Sequence, residues 1–136
     1  GLDAEPVTTI GGLTILPDIT LDELEPGAML ILPGGEAWDR DENSKILESA
    51  KALLAADIPV AAICGATAGL ARAGILDDIP HTSNASEYLQ ATNYRGSALY
   101  QNQPVVTAGN VITANSTAPL EFAYHIFKKL NLYEAP

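Results

Sequence analysis

Two stretches of the chain are apolar without interruption at strand length, Ala28-Met29-Leu30-Ile31-Leu32 and Val60-Ala61-Ala62-Ile63. Neither alternates with polar residues as a half-wetted strand does, so each is expected to be covered on both faces, as in a parallel sheet. Between them Ile46, Leu47, Ala50, Leu53 and Leu54 recur at the spacing of one helix face, with Asn43 or Ser44 placed to cap it and Asp57 to Pro59 to end it. Upstream, the β-branched runs Val7–Ile10 and Leu13–Ile15 flank Gly11-Gly12 and predict a hairpin. Thr20-Leu21-Asp22-Glu23 has capping-box spacing, and Pro26-Gly27 stops the helix it opens within about a turn. The second apolar strand runs straight through Cys64-Gly65-Ala66-Thr67 into a small-residue helix, Ala68 to Ala73, closed by Gly74. His81-Thr82-Ser83 reads as a short strand and Ser86 to Ala91 as a short helix. Pro104–Thr107 and Val111–Ala114 flank Ala108-Gly109-Asn110, a second hairpin. A last helix starts near Thr117 with Pro119 in its first turn, and Leu120, Ala123, Ile126, Phe127 and Leu130 are expected to be its buried stripe.

Apolar strands alternating with one-faced helices define an α/β layered domain. The length, 136 residues, fits one domain spanning 1–136. Composition then removes several function classes. The net charge is −10, which gives no electrostatic footprint for phosphate backbones and disfavours both nucleic acid and anionic membranes as partners. No apolar run approaches the ~20 residues that span a bilayer. Cys64 is the single cysteine, so neither an intrachain disulfide nor a cysteine zinc cluster is available, no metal or cofactor is expected, and a reducing, cytoplasmic setting suits the thiol.

In parallel sheets ligands meet the C-terminal ends of the strands. Two places fit, Pro33-Gly34-Gly35 and Cys64-Gly65. A nucleophile on a strand-to-helix bend needs small residues two positions to either side, and here these are Ala62 and Ala66. The helix that follows aims unpaired N–H groups and a positive dipole end at the sulfur, which favours thiolate. The Gly65 N–H is placed to receive an oxyanion, and the Gly34 and Gly35 N–H groups can line an anion pocket. The competing reading of Cys64 is a buried structural thiol. Of the two histidines, His125 reads as a surface or packing residue, and His81 is a weak candidate for a base. Asn84, Asn115 and Ser116 stand at other strand ends and can line the pocket, although such residues more often serve turns and caps. Glu36, Asp39, Asp41 and Glu42 read as a solvated face, with Trp38 placed to cover the pocket mouth.

Ile31-Leu32-Pro33-Gly34-Gly35, Val60 through Ala66, Val111 through Asn115 and Glu121-Phe122-Ala123, in this order, resemble the ThiJ/PfpI superfamily of the class I glutamine amidotransferase-like fold. The similarity runs from about Val7 to Leu130. It implies a flavodoxin-like three-layer α/β/α sandwich with a mostly parallel sheet, a homodimer or larger oligomer, Cys64 as reactive nucleophile, and an oxyanion hole near Gly34, Gly35 and Gly65. Members of that group include proteases, amidases, isonitrile hydratases, aldehyde-detoxifying enzymes, redox-responsive chaperones and regulatory domains. Two departures stand out. The protease-like branch has a His after the cysteine, where this chain has Gly65, so that dyad cannot form. The family's acidic partner of the cysteine lies on the first strand-to-helix connection, and no such segment precedes Pro6. Neither His125 nor Glu121 has the strand-end placement of a glutaminase pair.

The resulting expectation is a hydrolase-like enzyme, protease, amidase or a related activity, acting through Cys64 on a small molecule or peptide. The alternatives are a cysteine-based redox or stress sensor or chaperone, and a degenerate ligand-binding domain. The family pattern further predicts about 35 to 50 residues before Gly1, enough for one strand and one helix.

Overall fold

The computed structural model describes residues 1–40 and 42–132; Asp41 of the acidic run lies outside the described residues. The central sheet has four strands, β3 (Leu30–Leu32), β4 (Val60–Ile63), β6 (Val111–Ala114) and β5 (Val105–Ala108), in that spatial order. β3, β4 and β6 are parallel, and β5 is antiparallel at one edge. The register pairs Leu30 with Val60 and Val60 with Val111, then Ile31 with Ala61 and Ala61 with Ile112. Side chains alternate across a strand, so this register sorts the sheet into two faces.

One face carries Leu32, Val60, Ala62 and Val111, covered by helix α1 (Ser44–Ala55) and helix α2 (Gly65–Arg72). The other carries Ala61, Ile112 and Ala114, covered by Phe122 and Ile126 of helix α4 (Pro119–Lys129). Helices on both faces make the layered α/β domain that the pattern predicts, in the three-layer flavodoxin-like form that the resemblance implies. A short helix α3 (Ser86–Gln90) packs against α2. No helix among the described residues is long and apolar enough to cross a membrane.

Two elements differ from expectation in a way that tertiary packing explains. In α4 the buried stripe is Phe122 and Ile126, whereas Leu120 is 82% and Phe127 48% exposed. The connection leaving β6 sets the phase of this helix: Ala118, Phe122 and Ile126 lie at i, i+4 and i+8 and meet the sheet together. Burying Phe122 and Ile126 contributes about 1.5–3 kcal/mol each, more than the helix loses by leaving Leu120 wet. In β3, Ile31 is 48% exposed rather than covered on both sides. Among the described residues β3 is an edge strand, and α4 reaches β4, β5 and β6 instead.

The first hairpin, β1 (Val7–Thr8) and β2 (Thr14–Ile15), is a separate two-stranded sheet and pairs with no strand of the central one. Thr20 starts only a three-residue 3-10 turn, Leu21–Glu23, where the Glu23 carboxylate accepts from both the N–H and the hydroxyl of Thr20 at 2.8 Å. α2 begins at Gly65, three residues earlier than its sequence pattern suggests. His81-Thr82-Ser83 forms a single parallel bridge, His81 to Tyr100, rather than a strand. The second hairpin forms as expected, with Gly109 at φ +57 in its turn.

His81 is wholly buried. Its Nδ1 lies 2.7 Å from the Ile79 carbonyl, which can only accept, so Nδ1 carries the proton. Nε2 then accepts from the Tyr94 hydroxyl at 3.0 Å. Burial holds the imidazole below its usual 6.5, against the opposing pull of the Ile79 carbonyl and Asp77. The unfolded chain therefore takes up a proton at higher pH than the folded one. The stability held by neutral His81 is full above about pH 6.5 and is lost as pH falls below it. Thermal unfolding followed by circular dichroism is expected to show a midpoint that drops between neutral and mildly acidic pH. His81→Gln flattens that dependence, and an unchanged slope in the variant would show that the proton goes elsewhere.

Candidate active site

The C-terminal ends of β3, β4 and β6 converge on Cys64. It is the one residue between β4 and α2, and it holds φ 58 and ψ −127. Non-glycine residues rarely occupy positive φ, and the strain costs about 1–3 kcal/mol. Three hydrogen bonds hold the bend. The Cys64 N–H donates to the Ala114 carbonyl at 3.0 Å, extending the β4–β6 ladder. The Cys64 carbonyl accepts from the Thr67 N–H at 3.1 Å and from the Thr67 hydroxyl at 2.6 Å. Cys64 is partly exposed, whereas Ala62 and Ala66 are completely buried beside it.

Gly34, at the end of β3, approaches this bend closely. A Cβ there would lie 2.7 Å from the Cys64 Cβ and 3.3 Å from its Sγ. A Cβ on Gly65 would lie 2.7 Å from the Gly35 carbonyl oxygen. The glycines expected to line the pocket are thus packed against the cysteine turn, and a side chain on Gly34 or Gly65 would force it open. The N–H groups of Gly34 and Gly35 donate to no acceptor among the described residues. That of Gly65 opens α2, where the first turn has no intrahelical partners.

Asn84 also reaches the sulfur, its Nδ2 3.4 Å from Sγ. The Ser116 N–H donates to Asn84 Oδ1 at 2.9 Å. An N–H must face the amide oxygen, so the amide nitrogen must face the sulfur. Ser116 therefore contributes through its backbone. The Asn115 side chain is directed elsewhere, accepting from the N–H and hydroxyl of Thr117 at 3.0 and 2.8 Å.

The remaining candidates sit apart. His81 bonds to Ile79 and Tyr94, and His125 Nδ1 lies 2.8 Å from the Thr107 hydroxyl on the edge strand. Among the described residues, no imidazole or carboxylate makes a hydrogen bond to the sulfur. No group of three or more His, Cys, Asp or Glu among them could hold a metal ion. Glu36, Asp39 and Glu42 are solvated, as their pattern suggests. Trp38 belongs to the core instead of covering the pocket mouth: it packs against Gly65 and Gly69, and its indole N–H donates to the Pro33 carbonyl at 2.9 Å.

Tyr88 of α3 is a neighbour that sequence spacing does not reveal. Its hydroxyl donates to Asp39 at 2.7 Å. Burial, the bond to Asp39 and the nearby Asp39 and Cys64 charges all push its ionisation up, while Arg72 opposes them, so it stays a neutral donor. Only the fold brings the 36–39 loop and α3 together at this rim.

Comparison with known proteins agrees with this architecture. The DJ-1/PfpI family matches residues 1–129, and the chain belongs to that family. A relative from Bacillus subtilis named "Uncharacterized protease YoaZ" is 44% identical over 98% of this chain and 65% of its own length. A second from the same organism, "Uncharacterized protease YdeA", is 35% identical over 92% of this chain and 64% of its own. The crystal structure of a thiJ/pfpI family protein from Bacillus anthracis superposes with a TM-score of 0.92 at 45% identity, covering 96% of this chain and 64% of that one. A DJ-1 superfamily protein from Agrobacterium tumefaciens gives 0.90 at 39% identity, covering 97% and 72%. The chain thus spans just under two thirds of the length of these two Bacillus subtilis relatives.

The close approach at Gly34 has a measurable consequence. Gly34→Ala is expected to destabilise the fold by about 1–3 kcal/mol, as overpacking does. Gly35→Ala, whose Cβ would meet nothing within 4 Å at an extended φ of 167, stays within about 0.5 kcal/mol of the parent. Equal losses in urea unfolding would contradict this packing.

Proposed function

We propose that the protein is a cysteine-dependent, hydrolase-like enzyme in which Cys64 attacks a carbonyl carbon. The observation that carries this reading is the sulfur's position: on a strained strand-to-helix bend at the start of α2, against Gly34, facing an amide donor fixed by Ser116. Two relatives named as uncharacterized proteases support the hydrolytic direction. In the proposed reaction the thiolate electron pair forms a bond to the acyl carbon and the carbonyl electrons move onto oxygen. The N–H groups of Gly34, Gly35 and Gly65 serve as its oxyanion donors. Collapse expels the leaving group and leaves a thioester on Cys64. Water adds to that thioester, releasing the acid and restoring the thiol.

The Asn84 amide donates to the thiolate and cannot take up its proton. An Asn84→Ala variant removes a hydrogen bond to a charged sulfur, worth about 1.5–3 kcal/mol. An Asn84→Asp variant places a negative charge there instead. Alkylation of Cys64 by iodoacetamide near neutral pH is expected to slow roughly tenfold in the first and further in the second. An activated aryl ester, whose leaving group needs no added proton, is expected to deposit one acyl group on Cys64, seen by intact mass and absent in Cys64→Ser. A thiol that alkylates no faster than an ordinary free cysteine and gathers no acyl group would overturn the proposal.

A second reading, a peroxide-responsive thiol, is favoured by the same contact, since a sulfinate oxygen would also accept from Asn84. Intact mass after mild peroxide separates the two: two added oxygens on Cys64 without acyl transfer support the sensor.

A further inference from the structure

Behind the cysteine turn lie two hydroxyl groups sealed from solvent, Thr67 on α2 and Ser83 in the segment preceding α3. Their oxygens are 2.6 Å apart. The Thr67 hydroxyl has one proton, and it goes to the Cys64 carbonyl at 2.6 Å. Ser83 must therefore donate to Thr67, and the chain runs Ser83 O–H to Thr67 O–H to the Cys64 carbonyl. The Tyr100 hydroxyl in turn approaches the Ser83 carbonyl at 3.4 Å. Ser83 is followed directly by Asn84, whose amide donates to the sulfur.

We infer that the buried Thr67–Ser83 pair is a positioning device that sets the distance between Asn84 and Cys64. The pair ties the carbonyl of the strained residue to the backbone that carries the sulfur's donor, so the two halves of the contact are fixed through one short, dry connection. The Thr67 and Ser83 hydroxyls bond to the Cys64 carbonyl and to each other, not to the sulfur, so their effect on it passes through Cys64 and Asn84. Packing alone does not require hydroxyls here: valine has the shape of threonine, and a buried apolar pair carries no hydrogen-bond demand. This inference rests on Cys64 being the reactive group proposed above.

The test separates position from stability. Thr67→Val leaves the Ser83 hydroxyl buried without its acceptor, so the single variant is expected to be less stable. The double variant Thr67→Val with Ser83→Ala removes both polar groups and is expected to recover much of that loss. Its Cys64 is nevertheless expected to alkylate about tenfold or more slowly than the parent near neutral pH. Thr67→Ser keeps the hydroxyl and is expected to restore the parent rate. A double variant that folds and alkylates at the parent's fast rate would overturn this inference and leave the proposed function standing. A parent thiol with the reactivity of an ordinary free cysteine would overturn both. Should the double variant fail to fold, Ser83→Ala alone, which leaves the Thr67 bond to Cys64 intact but unanchored, is read in the same way: slowed alkylation supports the pair and an unchanged rate refutes it.

Discussion

One backbone turn governs the architecture around the site. Cys64 alone joins the end of β4 to the start of α2, and it does so at positive φ. A bend that tight leaves no room around it. Ala62 and Ala66 must be small, Gly34 must lack a side chain, and Gly65 must pass beside the Gly35 carbonyl. The strain is sustained because the Cys64 N–H and carbonyl are both bonded, the first to β6 and the second twice to Thr67. A cysteine serving only to fill the core would need none of this, since a thiol packs equally well in a relaxed strand.

The turn is held rigid by the layers beneath it. β4 has helices on both faces, α1 and α2 on one and α4 on the other, and α4 also covers β6. Small residues on β4 let α2 lie close to the sheet, and Trp38 closes the space over α2 with its indole N–H satisfied by Pro33. The Pro33-Gly34-Gly35 segment is thereby fixed to the helix that begins at Cys64. Burial of the layers supplies the free energy, and the glycine turn and the cysteine bend are where that energy is spent on geometry.

Around the sulfur the polar groups are oriented by other polar groups rather than by packing. Ser116 fixes which end of the Asn84 amide faces Cys64, and the Thr67 proton fixes which way the hydroxyl chain runs. These are consequences of donor and acceptor counting: each partner can play only one role, so each settles the next. The result is a sulfur met by a non-titrating donor, with the two imidazoles engaged elsewhere at Tyr94 and Thr107.

Much of this was legible from local pattern. Uninterrupted apolar runs identified β3 and β4, one-faced spacing identified α1, and Gly109-Asn110 identified the β5–β6 hairpin, because each signal lies within a single element. The small residues flanking Cys64 marked the bend for the same reason, since the clash they avoid is between near neighbours in the chain. What the chain could not declare by itself were relations between distant segments. Asn84 meets Cys64 across 20 residues and Ser116 across 32, and a lone Asn in a polar stretch gives no sign of which atom it will face. The phase of α4, the exposure of Ile31 and the burial of Trp38 were likewise decided by what lay opposite them. Periodicity shows that a face is apolar, but which apolar residues are buried depends on the register and reach of the neighbouring element, and that exists only once the chain has folded.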